Sequence, residues 1–323
     1  MLNEGGQTAH VGGNIGIPIS KVVAESKTGE KIVAELSSFQ LLGCTKLRPH
    51  VAVLTNIYEA HLDYHGTREN YVNAKMRITQ NQTADDYFIM NWDLPEMHDL
   101  AKRSKAQIIP FTRKGAAGAR ASLIDGQLAW DGHKIMAADE MQIPGAHNIE
   151  NALAAIAVAK LYGVDDEAIE HVLRTFTGVR HRIQYVKTLN GRKIYNDSKA
   201  TNVEAASVAI GAFKQPEVLI CGGLDRHLSM DDLVPLVKAH AKALVTYGET
   251  AAQMVQVAKD AGLKDIKRVD TLNDAVPAAY ASSKPGDVIL LSPAAASWDQ
   301  FHTFEERGDL FINLIDKLPQ EDK

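Results

Sequence analysis

Residues 51–82 read VAVLTNIYEAHLDYHGTRENYVNAKMRITQNQ. Val51, Ala52, Val53 and Leu54 form a short apolar run, which suits a strand covered on both faces. A polar loop follows and presents His61, Asp63 and His65 where that strand ends. Thr67 is placed to cap a helix, with Glu69 in its first turn. Tyr71, Lys75 and Ile78 then recur at i, i+4 and i+7. One helix face is therefore apolar, with a lysine where an aliphatic residue is expected. The plain alternatives are a solvated loop histidine and a lysine that reaches water along its stem.

Strand, loop and helix repeat on both sides of this stretch. Upstream, Lys31 to Ser38 reads KIVAELSS, a strand with Glu35 near its end. Two neighbouring parallel strands then end in Glu35 and His61. In open α/β sheets ligands sit outside the carboxyl ends of strands. A carboxylate and an imidazole at one such edge suit a divalent cation or a phosphate. Downstream, Tyr87–Asn91 and Gln107–Phe111 read as strands. Ser122 to Met136 alternates, with turn signals at Asp125-Gly126 and Asp131-Gly132. A helix from Asn148 carries Ala152, Leu153, Ile156, Ala159 and Leu161, with Asn148 and Asn151 in its first turn. A second helix, Asp165 to Phe176, leads to Gly178. The expected domain boundary lies there, giving domains 1–178 and 179–323.

Beyond it, strands and helices alternate through Glu217–Cys221, Met230–His240, Ala243–Tyr247, Ala251–Ala261, Leu272–Ala281 and Asp287–Leu291. That pattern predicts a doubly wound, Rossmann-like α/β domain. Cys221-Gly222-Gly223 lacks the third glycine and the downstream acid of a dinucleotide fingerprint, so an NAD-linked oxidoreductase is a poor second reading.

Composition sets the class. In 323 residues, 45% are hydrophobic and 23% charged, enough to bury real cores. A net charge of -5 gives no electrostatic footprint for nucleic acid or an anionic membrane. Two cysteines without metal spacing, Cys44 and Cys221, fit a reducing cytosol. No apolar run approaches the ~20 residues of a membrane span.

Four stretches are long enough to be specific: TNIYEAHLDYHGTRENYVNAK (55–75), ELSSFQL (35–41), NDSKATN (196–202) and LSPAAASWDQF (291–301). Together they resemble the Mur ligases, which join amino acids to peptidoglycan precursors at the expense of ATP. The similarity runs from Gly12 to about Leu318 and points, within the family, to the members that add D-glutamate. It implies an α/β fold: an incomplete central (ATPase) domain, mostly parallel sheet with helices, then a doubly wound C-terminal glutamate-binding domain. No G-x-x-x-x-G-K-[ST] signature occurs. The expectation is a chain without the family's phosphate loop and N-terminal uridine-binding domain, with little activity alone.

The resemblance also assigns residues. Glu35, His61 and Lys75 would hold magnesium, with Lys75 carbamylated. Asn148 and Asn151 would hold the adenine, Arg182 the ATP phosphates and Asp197 the ribose. Lys199 would face the reacting carboxyl or phosphate. Asn14, Ser37, Gln40 and His61 would face the muramoyl substrate or its metal. Thr201, Arg226, Ser297, Trp298 and Phe304 would form the glutamate pocket, with His227 the rival of Arg226. His61, Lys75, Arg182 and Lys199 are the expected catalytic set. The implied partners are UDP-N-acetylmuramoyl-L-alanine, D-glutamate and ATP, for a cytoplasmic monomer that touches neither membrane nor nucleic acid. Residue by residue, plain readings stand beside these: helix caps at Asn148 and Asn151 and at Thr201 or Asn202, an exposed hinge arginine at 182, core packing for Trp298 and Phe304. Two other functions remain open: a folate polyglutamate ligase, and a non-catalytic chain that keeps the nucleotide and glutamate surfaces.

Overall fold

A computed structural model describes residues 1–14, 16–57 and 61–320, with Asp63 described by its backbone alone. The chain divides into two compact units. The first comprises Met1–Met141 and Ala146–Thr175; the second comprises Gln142–Gly145 and Phe176–Lys323.

In the first unit, β1 (Ala9–Gly13) and β2 (Lys31–Glu35) form a separate two-stranded parallel sheet, joined through α1 (Ile19–Glu25). A larger sheet runs in the order β3 (Val51–Leu54), β4 (Tyr87–Asn91), β5 (Gln107–Thr112), β6 (Ala121–Ile124), β7 (Gln127–Trp130) and β8 (His133–Ala137). Its first four strands are parallel; β6, β7 and β8 are antiparallel, turning at Asp125-Gly126 and Asp131-Gly132 as their turn chemistry predicts. The alternation of β3 explains its apolar sequence. Ala52 and Leu54 enter one core cluster with Tyr71, Phe88 and Met97, while Val51 and Val53 pack on the other, around Ile89, Phe111 and Ile156. Helices α2 (Ser38–Gly43), α3 (Leu62–His65), α4 (Arg68–Met76), α5 (Pro95–Ala101), α6 (Ala146–Leu161) and α7 (Asp166–Thr175) complete the unit.

Three expectations change here. Glu35 and the segment before His61 do not end neighbouring strands, because β2 pairs with β1 and β3 pairs with β4. Helix α4 stops at Met76, so Ile78 lies in a 3₁₀ turn beyond it. Helix α6 begins two residues before Asn148, which leaves Asn148 inside the first turn and Asn151 in the second.

In the second unit the sheet order is β13-β12-β11-β14-β10-β9. The strands are β9 (Gln184–Leu189), β10 (Arg192–Asn196), β11 (Glu217–Gly222), β12 (Ala241–Tyr247), β13 (Asp265–Arg268) and β14 (Val288–Leu291). All are parallel except the edge strand β9. Helices α8 (Val203–Ile210), α9 (Val234–His240), α10 (Ala251–Asp260), α11 (Leu272–Ser282) and α12 (Phe304–Asp316) cover both faces. Strand β11 is buried at all six positions, including Glu217 and Cys221, each 0% exposed. Because β14 inserts between β10 and β11, the carboxyl ends of three strands converge on Asp197, Gly223 and Ser292, the switch point of such a sheet.

Candidate functional site

The first unit gathers one group of polar residues past the end of β2. The Asn14 N–H donates to the Glu35 carbonyl at 2.7 Å, and its side-chain amide reaches Glu35 Oε1 at 3.5 Å. Gly13 makes this approach possible: at φ +123°, a Cβ there would lie 2.2 Å from the Glu35 carbonyl oxygen. Lys75 projects from α4 with its ammonium 5.8 Å from the Tyr71 ring centre. Burial pushes Lys75 below the usual lysine range, and the charge of Glu35 opposes that. Asn14, Glu35 and Lys75 therefore share a neighbourhood.

His61 stands in the left-handed region, φ 55°, at the start of α3, with its ring edge-on to Phe39 at 5.0 Å. His65 is a core residue instead: it is buried and its Nε2 pairs with Ser38 Oγ at 3.0 Å. Ser37 and Gln40 form a reciprocal capping box on α2, with the Gln40 N–H donating to Ser37 Oγ and the Ser37 N–H to Gln40 Oε1. Thr67 caps α4 by accepting from the Asn70 N–H. Among the described residues, no three of His, Cys, Asp and Glu are grouped to hold a metal ion. Residues 58–60, and the Asp63 side chain with its expected loop role, lie outside the described residues.

A second group surrounds the start of α6. Asn148 and Asn151 are three residues apart on one helix face, and the Asn151 amide donates to Asn148 Oδ1 at 3.4 Å. Glu150 accepts from Arg113 Nε at 3.0 Å and from Asn91 Nδ2 at 3.3 Å, at the carboxyl ends of β5 and β4.

The second unit places its motifs at the switch point. Asp197 follows β10 and is 5% exposed; its carboxylate accepts from the Ile183 N–H at 3.1 Å and from Ser292 Oγ at 2.8 Å. Burial pushes it up to about 7, against those bonds and the charges of Arg182 and Arg307. Asp197 thus ties the 181–183 turn to the end of β14. Arg182 itself is exposed. Lys199 is half-buried, its ammonium 5.1 Å from the Phe304 ring centre. Asn202, rather than Thr201, caps α8, accepting from the Ala205 N–H. Ser297 is buried and Trp298 is 65% exposed, so Trp298 is not core, while Phe301 packs on the core cluster.

Arg226 and His227 lie exposed on the loop after Gly223, where His227 has φ 58° and pairs with Asp225. Gly222 and Gly223 serve close packing: a Cβ at either would lie 1.9 Å from the Tyr247 carbonyl oxygen or 2.3 Å from that of Ala296. Beside this loop, a cavity of about 310 Å³ opens past β12 and β13, lined by residues including Glu249, Arg268, Asp270 and Asp299.

Two residues escaped the motif reading. Arg307 is wholly buried, and its guanidinium donates to Ser198 Oγ at 2.9 Å, to the Ser198 carbonyl at 2.7 Å and to the Ala295 carbonyl at 3.0 Å. It fastens the 196–202 and 291–301 loops to α12. Its signal was the spacing Phe304, Arg307, Phe311, Ile315, an arginine on an apolar helix stripe. His181 is also buried; its Nδ1 receives the Asn196 amide at 3.0 Å and its carbonyl receives the Lys199 N–H.

The sequence profile of the Mur ligase middle domain matches residues 4–159, and that of the Mur ligase glutamate ligase domain matches residues 181–295. A UDP-N-acetylmuramoylalanine--D-glutamate ligase of Latilactobacillus sakei is 59% identical over 312 residues, 97% of this chain and 69% of that protein. The chain belongs to the Mur ligase family. The enzyme of the same description from Lacticaseibacillus paracasei is 66% identical over 306 residues, 95% of this Mur ligase chain and 66% of the relative. The chain thus spans about two thirds of the length of these relatives. MurF from Thermotoga maritima in complex with ADP shares the fold, with a TM-score of 0.67 at 18% identity over 98% of this chain and 76% of that one. No helix among the described residues is long and apolar enough to cross a membrane.

Proposed function

We propose that this chain carries the nucleotide-handling and glutamate-handling surfaces of a ligase that joins D-glutamate to UDP-N-acetylmuramoyl-L-alanine at the expense of ATP. The observation that carries this is the 59–66% identity, over nearly the whole chain, to relatives described as D-glutamate ligases. The same observation favours this reading over a folate ligase. The first unit serves as the central, nucleotide-binding domain and the second as the glutamate domain. Asn148 and Asn151 hold the adenine. Asp197, Lys199 and Arg182, at the switch point, face the ribose, the acyl phosphate and the phosphates. Arg226, Thr201, Ser297, Trp298 and Phe304 receive D-glutamate, whose two carboxylates need cationic and hydroxyl donors close together.

Magnesium would neutralise the charge on the transferred phosphoryl group. Glu35 would supply a hard oxygen donor and His61 a second ligand. The Lys75 ammonium as it stands would repel a cation, so the set fits magnesium once Lys75 is a carbamate. Its lowered proton affinity supplies the neutral amine that such modification requires. Lys199 and Arg182 act by positioning and electrostatics, since acyl-phosphate chemistry needs charge stabilised where it develops. The working protein is a cytoplasmic monomer.

Calorimetric titration of the chain with ADP, and separately with D-glutamate and L-glutamate, tests this reading. Binding of ADP and a preference for the D-isomer are expected. Saturable binding of a pteroate in place of D-glutamate, or no binding of either ligand, would overturn it.

A further inference from the structure

Helix α6 is held to its core by Ala152, Leu153, Ile156 and Ala157, all nearly or fully buried. Ahead of these, Ile149 packs partly buried against the same core. The turn that carries Asn148 precedes them, where a helix has backbone N–H groups without intrahelical acceptors and frays. That turn must be held still if two asparagines are to meet a ligand together.

Glu150 supplies the connection. It projects about 100° round the helix from Asn151 and reaches the ends of two strands. Its Oε1 takes the Arg113 Nε–H at 3.0 Å and its Oε2 takes the Asn91 amide at 3.3 Å. Both donors are themselves fixed. Asn91 is 1% exposed and its Oδ1 accepts from the Asp93 N–H at 3.0 Å. The Arg113 N–H donates to Asp93 Oδ2 at 2.8 Å, and Thr112, hydrogen-bonded to Asp93, accepts from the Gly115 and Ala116 N–H groups. A rigid strand-end platform thus grips the helix at one residue between the two asparagines. The Arg113 and Glu150 side chains are 27% and 26% exposed, and pairs of that kind add little to global stability. Their effect is local order.

We propose that Glu150, gripped by Arg113 and Asn91, is a positioning residue for nucleotide binding: it holds the first turns of α6 so that Asn148 and Asn151 are presented as a pair. This rests on the nucleotide reading given above. A ligand that binds only the ordered turn has its apparent affinity reduced by the fraction of time the turn is ordered.

The test compares the 323-residue chain with Glu150→Gln and with the exchanged pair Arg113→Glu/Glu150→Arg, by amide hydrogen exchange and by titration of a fluorescent ADP analogue. In Glu150→Gln, the amides of residues 150–153 should exchange faster and ADP should bind about tenfold more weakly. Amides beyond Ala154, and the melting temperature, should be nearly unmoved, and the exchanged pair should recover part of both losses. Unchanged exchange at residues 150–153 would overturn the positioning role outright. Faster exchange with unaltered ADP affinity would make the bridge a structural staple only. Faster exchange in a chain whose unaltered form binds no ADP would refute the nucleotide reading, and the role toward nucleotide with it.

Discussion

Replacing Glu217 by glutamine should make the second unit more stable above about pH 7, by an amount that grows with pH. Glu217 opens the fully buried strand β11, and neither of its carboxylate oxygens has a hydrogen-bond partner among the described residues. Burial pushes its proton affinity up to about 9 from an ordinary 4.5. The folded state therefore keeps a proton that the unfolded chain releases above pH 4.5. Stability from this group is fully present below 4.5 and is lost as pH rises toward about 9. The slope is about 1.4 kcal/mol per pH unit, so roughly 4 kcal/mol is lost between pH 4.5 and 7.5 at full slope. Glutamine keeps the shape and does not titrate. Its own buried amide carries a fixed cost of about 1–3 kcal/mol, which is independent of pH. The slope, rather than the offset, is therefore the signature. Urea unfolding followed by far-ultraviolet circular dichroism from pH 5 to 8.5 should give a falling stability for the unaltered chain and a flatter one for Glu217→Gln. Two parallel curves would show that Glu217 finds a partner or water, and the reasoning would fail.

Arg307→Met should cost about 3 kcal/mol, because the Ser198 and Ala295 carbonyls lose their donor inside the fold; a loss below about 1 kcal/mol by denaturant unfolding would contradict the staple. Lys75 should react with an acylating reagent at lower pH than the exposed lysines, since burial lowers its proton affinity. Peptide mapping after limited acetylation at pH 8 reads this, and slower labelling than at the 63%-exposed Lys21 would count against it. Arg226→Met should weaken D-glutamate binding about ten- to a hundredfold while leaving ADP binding near its starting value. Calorimetric titration decides, and an effect confined to ADP would move the amino-acid pocket to another loop.

Much of the fold was legible because period and turn chemistry agreed. The apolar run at Val51 could be read as a two-faced strand, and Asp125-Gly126 and Asp131-Gly132 as hairpin turns, since each signal is local. Strand β13 was not legible: Asp265, Lys267 and Arg268 make an edge strand that needs only one buried face, so its sequence is polar. Pairing was also hidden. Nothing near Glu35 says that β2 pairs with β1 rather than with β3, because partner choice is a tertiary property. The site was legible where several polar residues stand between a strand and a helix, as at residues 196–202. It was least legible where one side chain reaches across the fold. His65 looked like a companion of His61 and is a core residue bonded to Ser38. Arg307 follows Glu305 and Glu306 in the sequence, where nothing local shows that it fastens two loops.

Cys221 lies four residues along β11 from Glu217, wholly buried, with its thiol pushed well above the ordinary range. A thiolate is needed for reaction with disulfide reagents, so the folded strand is silent to them. That silence makes the strand its own timekeeper. Each modification at Cys221 records a moment when the centre of the second unit came apart, and the accumulated count measures how often that happens.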